Sequence, residues 1–175
     1  FFDKQFKLAG LAPDDIDTGA LILTGVAVRR RNARTIGELF AAQSGKFVSV
    51  SAGDGLEAIM AGHGSGAVGL TGGADNGRSM VLNIDIGGGT TKLAACGGGE
   101  VKHCSAIDAG ARLVTFDQQN IITHIEPFGQ KYLLLAGLDL QVGDPISDSQ
   151  KALLADLMVD QIMAAMAGDE LEGLY

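Results

Sequence analysis

The first half of the chain alternates short apolar runs with stripes at helical spacing. ALILT (20–24) is a compact run of strand-favouring character, and FVSVS (47–51) alternates at the period of a half-buried strand. Between them Ile36, Leu39, Phe40 and Gln43 share one helical face. With Thr24 as a candidate cap and Gly45 at the far end, they predict a helix from about Val26 to Ser44. LEAIMAG (56–62) predicts a short apolar helix starting near Asp54, and MVLNIDI (80–86) a buried strand. The order β-α-β-α-β predicts a parallel sheet with right-handed crossovers. A Gly-rich polar run, 63–79, separates the last helix from the last strand and marks a loop or hinge between two lobes.

After Asp85 the spacing changes. TKLAAC (91–96) and EVKHCSAI (100–107), joined by a glycine triplet, predict successive hairpin strands. RLVTF and NIITHIE around DQQN predict another hairpin. Ser147 followed by Gln150 is a capping-box signature. Leu153, Leu154, Leu157, Met158, Ile162 and Met166 then stripe a helix that ends at Gly168. The expected class is therefore α/β.

Composition narrows the function classes. Of 175 residues 46% are hydrophobic, enough for a sizeable core. Glycine, at 26 residues beside only 3 prolines and without a collagen-like period, points to many tight turns. The net charge of −8 argues against nonspecific nucleic-acid or anionic-membrane binding. No apolar run approaches the ~20 residues that span a bilayer, and no signal peptide is evident. Two cysteines make no disulfide framework, so a reducing, cytoplasmic setting is expected. The chain opens on FFDKQF rather than Met, so a fragment or processed piece is expected.

The chemistry concentrates in IGGGTTKL (86–93). A Walker loop needs G-x-x-x-x-G-K-[ST] opening a helix, and Gly87 has no such partner. A dinucleotide fingerprint needs glycines at 87, 89 and 92, but position 92 is lysine and strand-like alternation follows. What remains is a hairpin phosphate clip. Glycines allow close backbone approach to an anion, their N–H groups can form a nest, and the threonine hydroxyls add donors. Asp85, at the end of the preceding strand, can hold Mg²⁺ through water. A plain glycine turn capped by Asp85 is the simpler alternative.

NIDIGGGTTKLAACGGGEV resembles the second phosphate motif of the actin, Hsp70 and sugar-kinase superfamily. DTGALILTG, RRRNAR, FVSVSAGDGLEAIMAGHGSGA and DAGARLVTFD further resemble the ethanolamine ammonia-lyase reactivating factors, over nearly all of positions 10–160. The resemblance implies an actin-like (ribonuclease H-like) ATPase fold. It implies an ATP-dependent chaperone that releases damaged cobalamin from inactivated ethanolamine ammonia-lyase, its partner. Asp85 would sit near Mg²⁺, with Gly87, Gly88, Gly89, Thr90 and Thr91 near the ATP phosphates. Residues 1–76 would end the first lobe and carry the connecting helix, and 77–175 would begin the second. No first phosphate loop precedes position 80 and no adenosine-binding Gly-Gly motif is evident. ATPase activity is thus expected of a full-length protein and not of this stretch alone.

Asp54 and Glu57 lie where related ATPases place a residue that orients the attacking water, and helix-capping surface acids are the alternative. Arg29, Arg30, Arg31 and Arg34 read as a solvated face, with docking of an acidic partner as the rival. Cys96, His103 and Cys104 lack zinc spacing, since adjacent strand residues point to opposite faces. His63 and His124 are expected to be structural. Three other functions stay open: a reactivator of another cobalamin enzyme such as a diol dehydratase, a metabolic kinase of the same superfamily, and an actin-like scaffold. Homo-oligomer formation stays open with them.

Overall fold

The structure, a computed structural model, describes residues 2–23, 35, 38, 47–51, 53–72 and 80–168. The chain divides into two compact units, 1–53 and 54–175. Most of the expected 26–44 helix and the arginine cluster lie outside the described residues, as does part of the Gly-rich run.

In the first unit, helix α1 (Phe2–Ala9) ends at Gly10, whose φ of 71° is the left-handed geometry of a helix end. Strands β1 (Gly19–Leu23) and β2 (Phe47–Ser51) pair in parallel, from Gly19 opposite Phe47 to Leu23 opposite Ser51. The parallel pairing expected of these two strands is present. Nothing in the sequence reading anticipated α1.

The second unit begins with helix α2 (Asp54–Gly64), which packs on an antiparallel meander of β3 (Val81–Ile86), β4 (Thr91–Gly97) and β5 (Glu100–Ile107). MVLNIDI, expected both in a parallel sheet and as the first strand of the hairpin at the glycine loop, forms the hairpin: β3 pairs antiparallel with β4, Ile86 facing Thr91, and among the described residues it has no parallel partner. Chain length fixes the direction of the β3–β4 pairing. A parallel partner needs a crossover of a dozen or more residues, and β4 starts directly after a four-residue turn. Nor is β3 buried throughout, since Leu82, Ile84 and Ile86 are exposed along one face. The β4–β5 turn uses Gly98 and Gly99 at φ 62° and 81°, as a tight two-residue hairpin demands.

Strand β4 is the centre of the sheet and is buried almost end to end. Its two faces support two cores. Ala94 and Cys96 face α2, where they meet Ala67 and Val68. A Cβ on Gly62 would stand 3.2 Å from Val101 and 3.3 Å from Cys96, so the glycine sets how closely α2 approaches. Leu93 and Ile107 face the larger core, built with Leu113, Ile122, Tyr132, Leu133, Ile146 and Leu154. Each such side chain contributes ~1.5–3 kcal/mol by leaving water.

That larger core is closed by the hairpin β6 (Val114–Phe116) and β7 (Ile122–Ile125), helix α3 (Pro127–Leu135) and helix α4 (Asp148–Ala167). In the hairpin turn the Asp117 carboxylate accepts from the N–H groups of Gln119 and Ile121, both at 2.9 Å. The capping box before α4 forms as read: the Gln150 N–H donates to Ser147 Oγ, and the Ser147 N–H donates to the Gln150 side chain at 2.8 Å. Gly168 ends the helix at φ 80°. Helix α3 was not anticipated, although Pro127 at its first turn and Gly137 beyond its end follow the usual asymmetry.

Candidate phosphate site at the glycine turn

The turn between β3 and β4 is a closed hairpin and no helix starts at Thr90. The Gly87 N–H donates to the Thr90 carbonyl at 2.9 Å. From behind, segment 108–112 braces it: the Ala111 N–H donates to the Gly87 carbonyl at 3.0 Å and the Arg112 N–H to the Gly88 carbonyl at 2.7 Å. Gly110 makes this approach feasible, because a Cβ there would lie 2.7 Å from the Gly88 carbonyl and the Gly89 nitrogen. With the carbonyls turned to the brace, the N–H groups of Gly88 and Gly89 have no hydrogen-bond partner among the described residues. Two adjacent, unspent N–H groups on a rigid turn are the elements of an anion nest.

The two threonines have different surroundings. Thr91 is fully buried and donates to the Ala109 carbonyl at 2.8 Å, so its hydroxyl fixes the brace to the strand. Thr90, 3% exposed, accepts a hydrogen bond from Lys92 Nζ at 2.5 Å. Lys92, the second residue of the central strand, is itself 3% exposed. Its ammonium lies 2.9 Å from Glu57 of α2, a contact whose alignment makes it an ion pair rather than a hydrogen bond. Removing one partner of such a buried pair costs ~3–5 kcal/mol, because the other charge stays behind.

Asp85 stands directly opposite Lys92 in the ladder, and opposed residues share a face. Its half-buried carboxylate makes no hydrogen bond or ion pair among the described residues. Asp54 occupies the first turn of α2 with Glu57. The fold thus brings Glu57, Asp85 and the glycine turn to one side of the sheet. Among the described residues no group of three or more His, Cys, Asp or Glu side chains could hold a metal ion. Cys104 and His103 pair with Ala94 and Ala95 and so face opposite sides of β5.

Sequence reasoning missed Lys92, Gly110 and Arg112. The lysine had a signal: a charge inside TKLAAC, a segment already read as a strand. Gly110 had almost none, since its neighbour in space is a backbone more than twenty positions earlier.

The ethanolamine utilisation protein EutA family model matches residues 1–175. The ethanolamine ammonia-lyase reactivase EutA of Salmonella typhimurium is 36% identical over 167 residues, covering 93% of this chain and 35% of that protein. The Escherichia coli reactivase EutA is 37% identical over 127 residues, 73% of this chain and 27% of that protein. The chain therefore spans about a third or less of the length of the curated relatives it matches. A solved Ppx/GppA family structure from Aquifex aeolicus aligns with 62% of this chain and 32% of its own, at 17% identity and a TM-score of 0.43. A family match running the full length, with 36% identity across 93% of the residues, decides the assignment: the chain belongs to the ethanolamine utilisation protein EutA family.

Proposed function

We propose that this chain is part of an actin-like, ATP-dependent reactivating chaperone that acts in the cytoplasm on inactivated ethanolamine ammonia-lyase and releases its damaged cobalamin. The observation that carries the reading is the braced glycine turn, where, among the described residues, the N–H groups of Gly88 and Gly89 and the carboxylate of Asp85 at its base have no partner. The reading assigns residues 1–76 to the end of one lobe and 77–175 to the start of the next.

In this reading Gly88 and Gly89 hold the β- and γ-phosphates through backbone N–H groups, Gly87, whose N–H closes the turn on the Thr90 carbonyl, lets the phosphates come close for want of a side chain, and Thr90 contributes its hydroxyl. Mg²⁺, when bound with ATP, supplies charge neutralisation of the phosphates. Asp85 would hold it through water and keep it in register with the turn. Glu57 and Asp54 lie on the helix that joins the lobes, the position from which a carboxylate orients an attacking water. Thr91 faces the brace rather than the turn, and its part is to keep segment 108–112 in place.

Calorimetry of Mg-ATP on the full-length protein and on residues 1–175 tests the reading. The full-length protein is expected to bind, and the shorter piece weakly or not at all, because one lobe's loop grips the phosphates from one side only. In parallel, the full-length protein with ATP should restore activity to cobalamin-inactivated lyase given fresh coenzyme. Failure to bind nucleotide, or reactivation that proceeds equally without ATP, would sink the proposal.

A further inference from the structure

We propose that Lys92 is a positioning residue of the phosphate clip, whose ammonium, neutralised by Glu57, fixes the Thr90 hydroxyl as a donor toward an anion at the turn. The inference rests on the nucleotide reading above. A buried lysine near the start of a buried strand is an unusual choice, because desolvating its charge is unfavourable. Its neighbours on the same face, Ala94 and Cys96, are small and apolar, so packing alone does not call for a cation. The geometry supplies the reason. The ammonium lies 2.9 Å from Glu57 and 2.5 Å from Thr90 Oγ1, directly under the turn: a Cβ on Gly87 would stand 4.0 Å from it.

An ammonium can only donate. Thr90 Oγ1 must therefore accept, and its own proton is left for another acceptor. Among the described residues no hydrogen bond uses that proton. Thr90 follows Gly89, whose N–H is likewise unspent, so hydroxyl and N–H form adjoining donors at the turn. Without Lys92 the hydroxyl is free to rotate and to spend its proton elsewhere. The charge on Lys92 thus acts through Thr90, while Glu57 keeps the pair neutral and links it to α2.

The test uses the full-length protein with Mg-ATP as probe. The paired change K92M/E57Q removes both charges together, so neither is stranded, and buried pairs replaced in this way commonly keep the fold. T90V removes the hydroxyl at nearly constant shape, and K92M/E57Q/T90V combines them. Each of the two changes is expected to weaken ATP binding about tenfold or more, the worth of one hydrogen bond to a charged group. The combined variant should bind no worse than T90V, because both remove one and the same donor. Urea midpoints measured alongside report stability separately, and a purely structural role would move them without this non-additivity. ATP affinity unchanged in K92M/E57Q, or losses that multiply in the combined variant, would overturn the inference. An unmutated protein that binds no ATP overturns the nucleotide reading itself, and this inference with it.

Discussion

Gly110→Ala is the sharpest perturbation the structure offers. A methyl group at this position would lie 2.7 Å from three backbone atoms, the carbon and oxygen of Gly88 and the nitrogen of Gly89. No side chain can swing aside, so the brace must back away from the turn. Overpacking of this kind costs ~1–3 kcal/mol. If the brace lifts off, the two hydrogen bonds from Ala111 and Arg112 go with it, at ~1 kcal/mol each. The sum, about 3–5 kcal/mol, is at the upper end of single-residue effects. Urea unfolding followed by circular dichroism reads it. With a slope of ~1–3 kcal/mol per molar urea, a loss of that size moves the midpoint by at least about 1 M. Gly55→Ala is the matched control: its Cβ would meet only Cys104 Sγ, at 3.8 Å, within a helix. That change should be neutral or stabilising, by up to ~1 kcal/mol. A Gly110→Ala protein with the midpoint of the parent would show that the brace does not hold the turn.

Asp85→Asn in the full-length protein should slow ATP hydrolysis by ~10²–10³ while leaving much of the nucleotide affinity, as steady-state turnover and calorimetry will show together. Tyr132→Phe should leave urea stability unchanged or raised, because the Tyr132 hydroxyl is buried without a hydrogen-bond partner among the described residues. Burial, reinforced by the charge of Asp108, pushes the Tyr132 phenol up to about 12. Its protonated form is favoured in the fold, so the parent should keep this contribution below pH ~10 and lose about 3 kcal/mol as pH rises through 12, a fall absent in the Phe variant. Ser147→Ala removes the capping box of α4 and should lower stability by ~1 kcal/mol in the same urea assay.

How far the sequence carried depends on the range of the interactions involved. The capping box at Ser147, the stop at Gly168 and the Gly98–Gly99 hairpin each depend on residues within four positions, and all three were readable. So was the antiparallel nature of the glycine turn, because alternation on both sides of 87–90 leaves the chain no room to cross over. That fact fixes only the edge of β3 that meets β4 and leaves its other edge open to a parallel neighbour. MVLNIDI looked like a buried parallel strand because a short apolar run carries no sign of its partner's direction. Helix α3 was lost for a related reason: PFGQKYLLL is short and nearly all apolar, and a helix of that kind has little periodicity to detect.

The candidate site divides along the same line. Asp85 and the glycines are contiguous, so their grouping is visible in the sequence. Their brace is not, because it comes from residues 108–112 and acts through backbone atoms, which every residue possesses. Glu57 was singled out for its place on the connecting helix, and its actual neighbour, Lys92, was passed over. The pairing joins a helix to a strand 35 positions apart, and only the packing of α2 on β4 brings them together. Yet a charge within a buried strand is itself a physical anomaly. Desolvation makes such a residue unfavourable unless a partner of opposite charge is also buried nearby. The lysine in TKLAAC therefore implied a buried acid close by, with Asp85 across the ladder and the acids of α2 as the candidates. Glu57 is that acid, and the buried pair it forms with Lys92 lies directly beneath the turn proposed to hold phosphate.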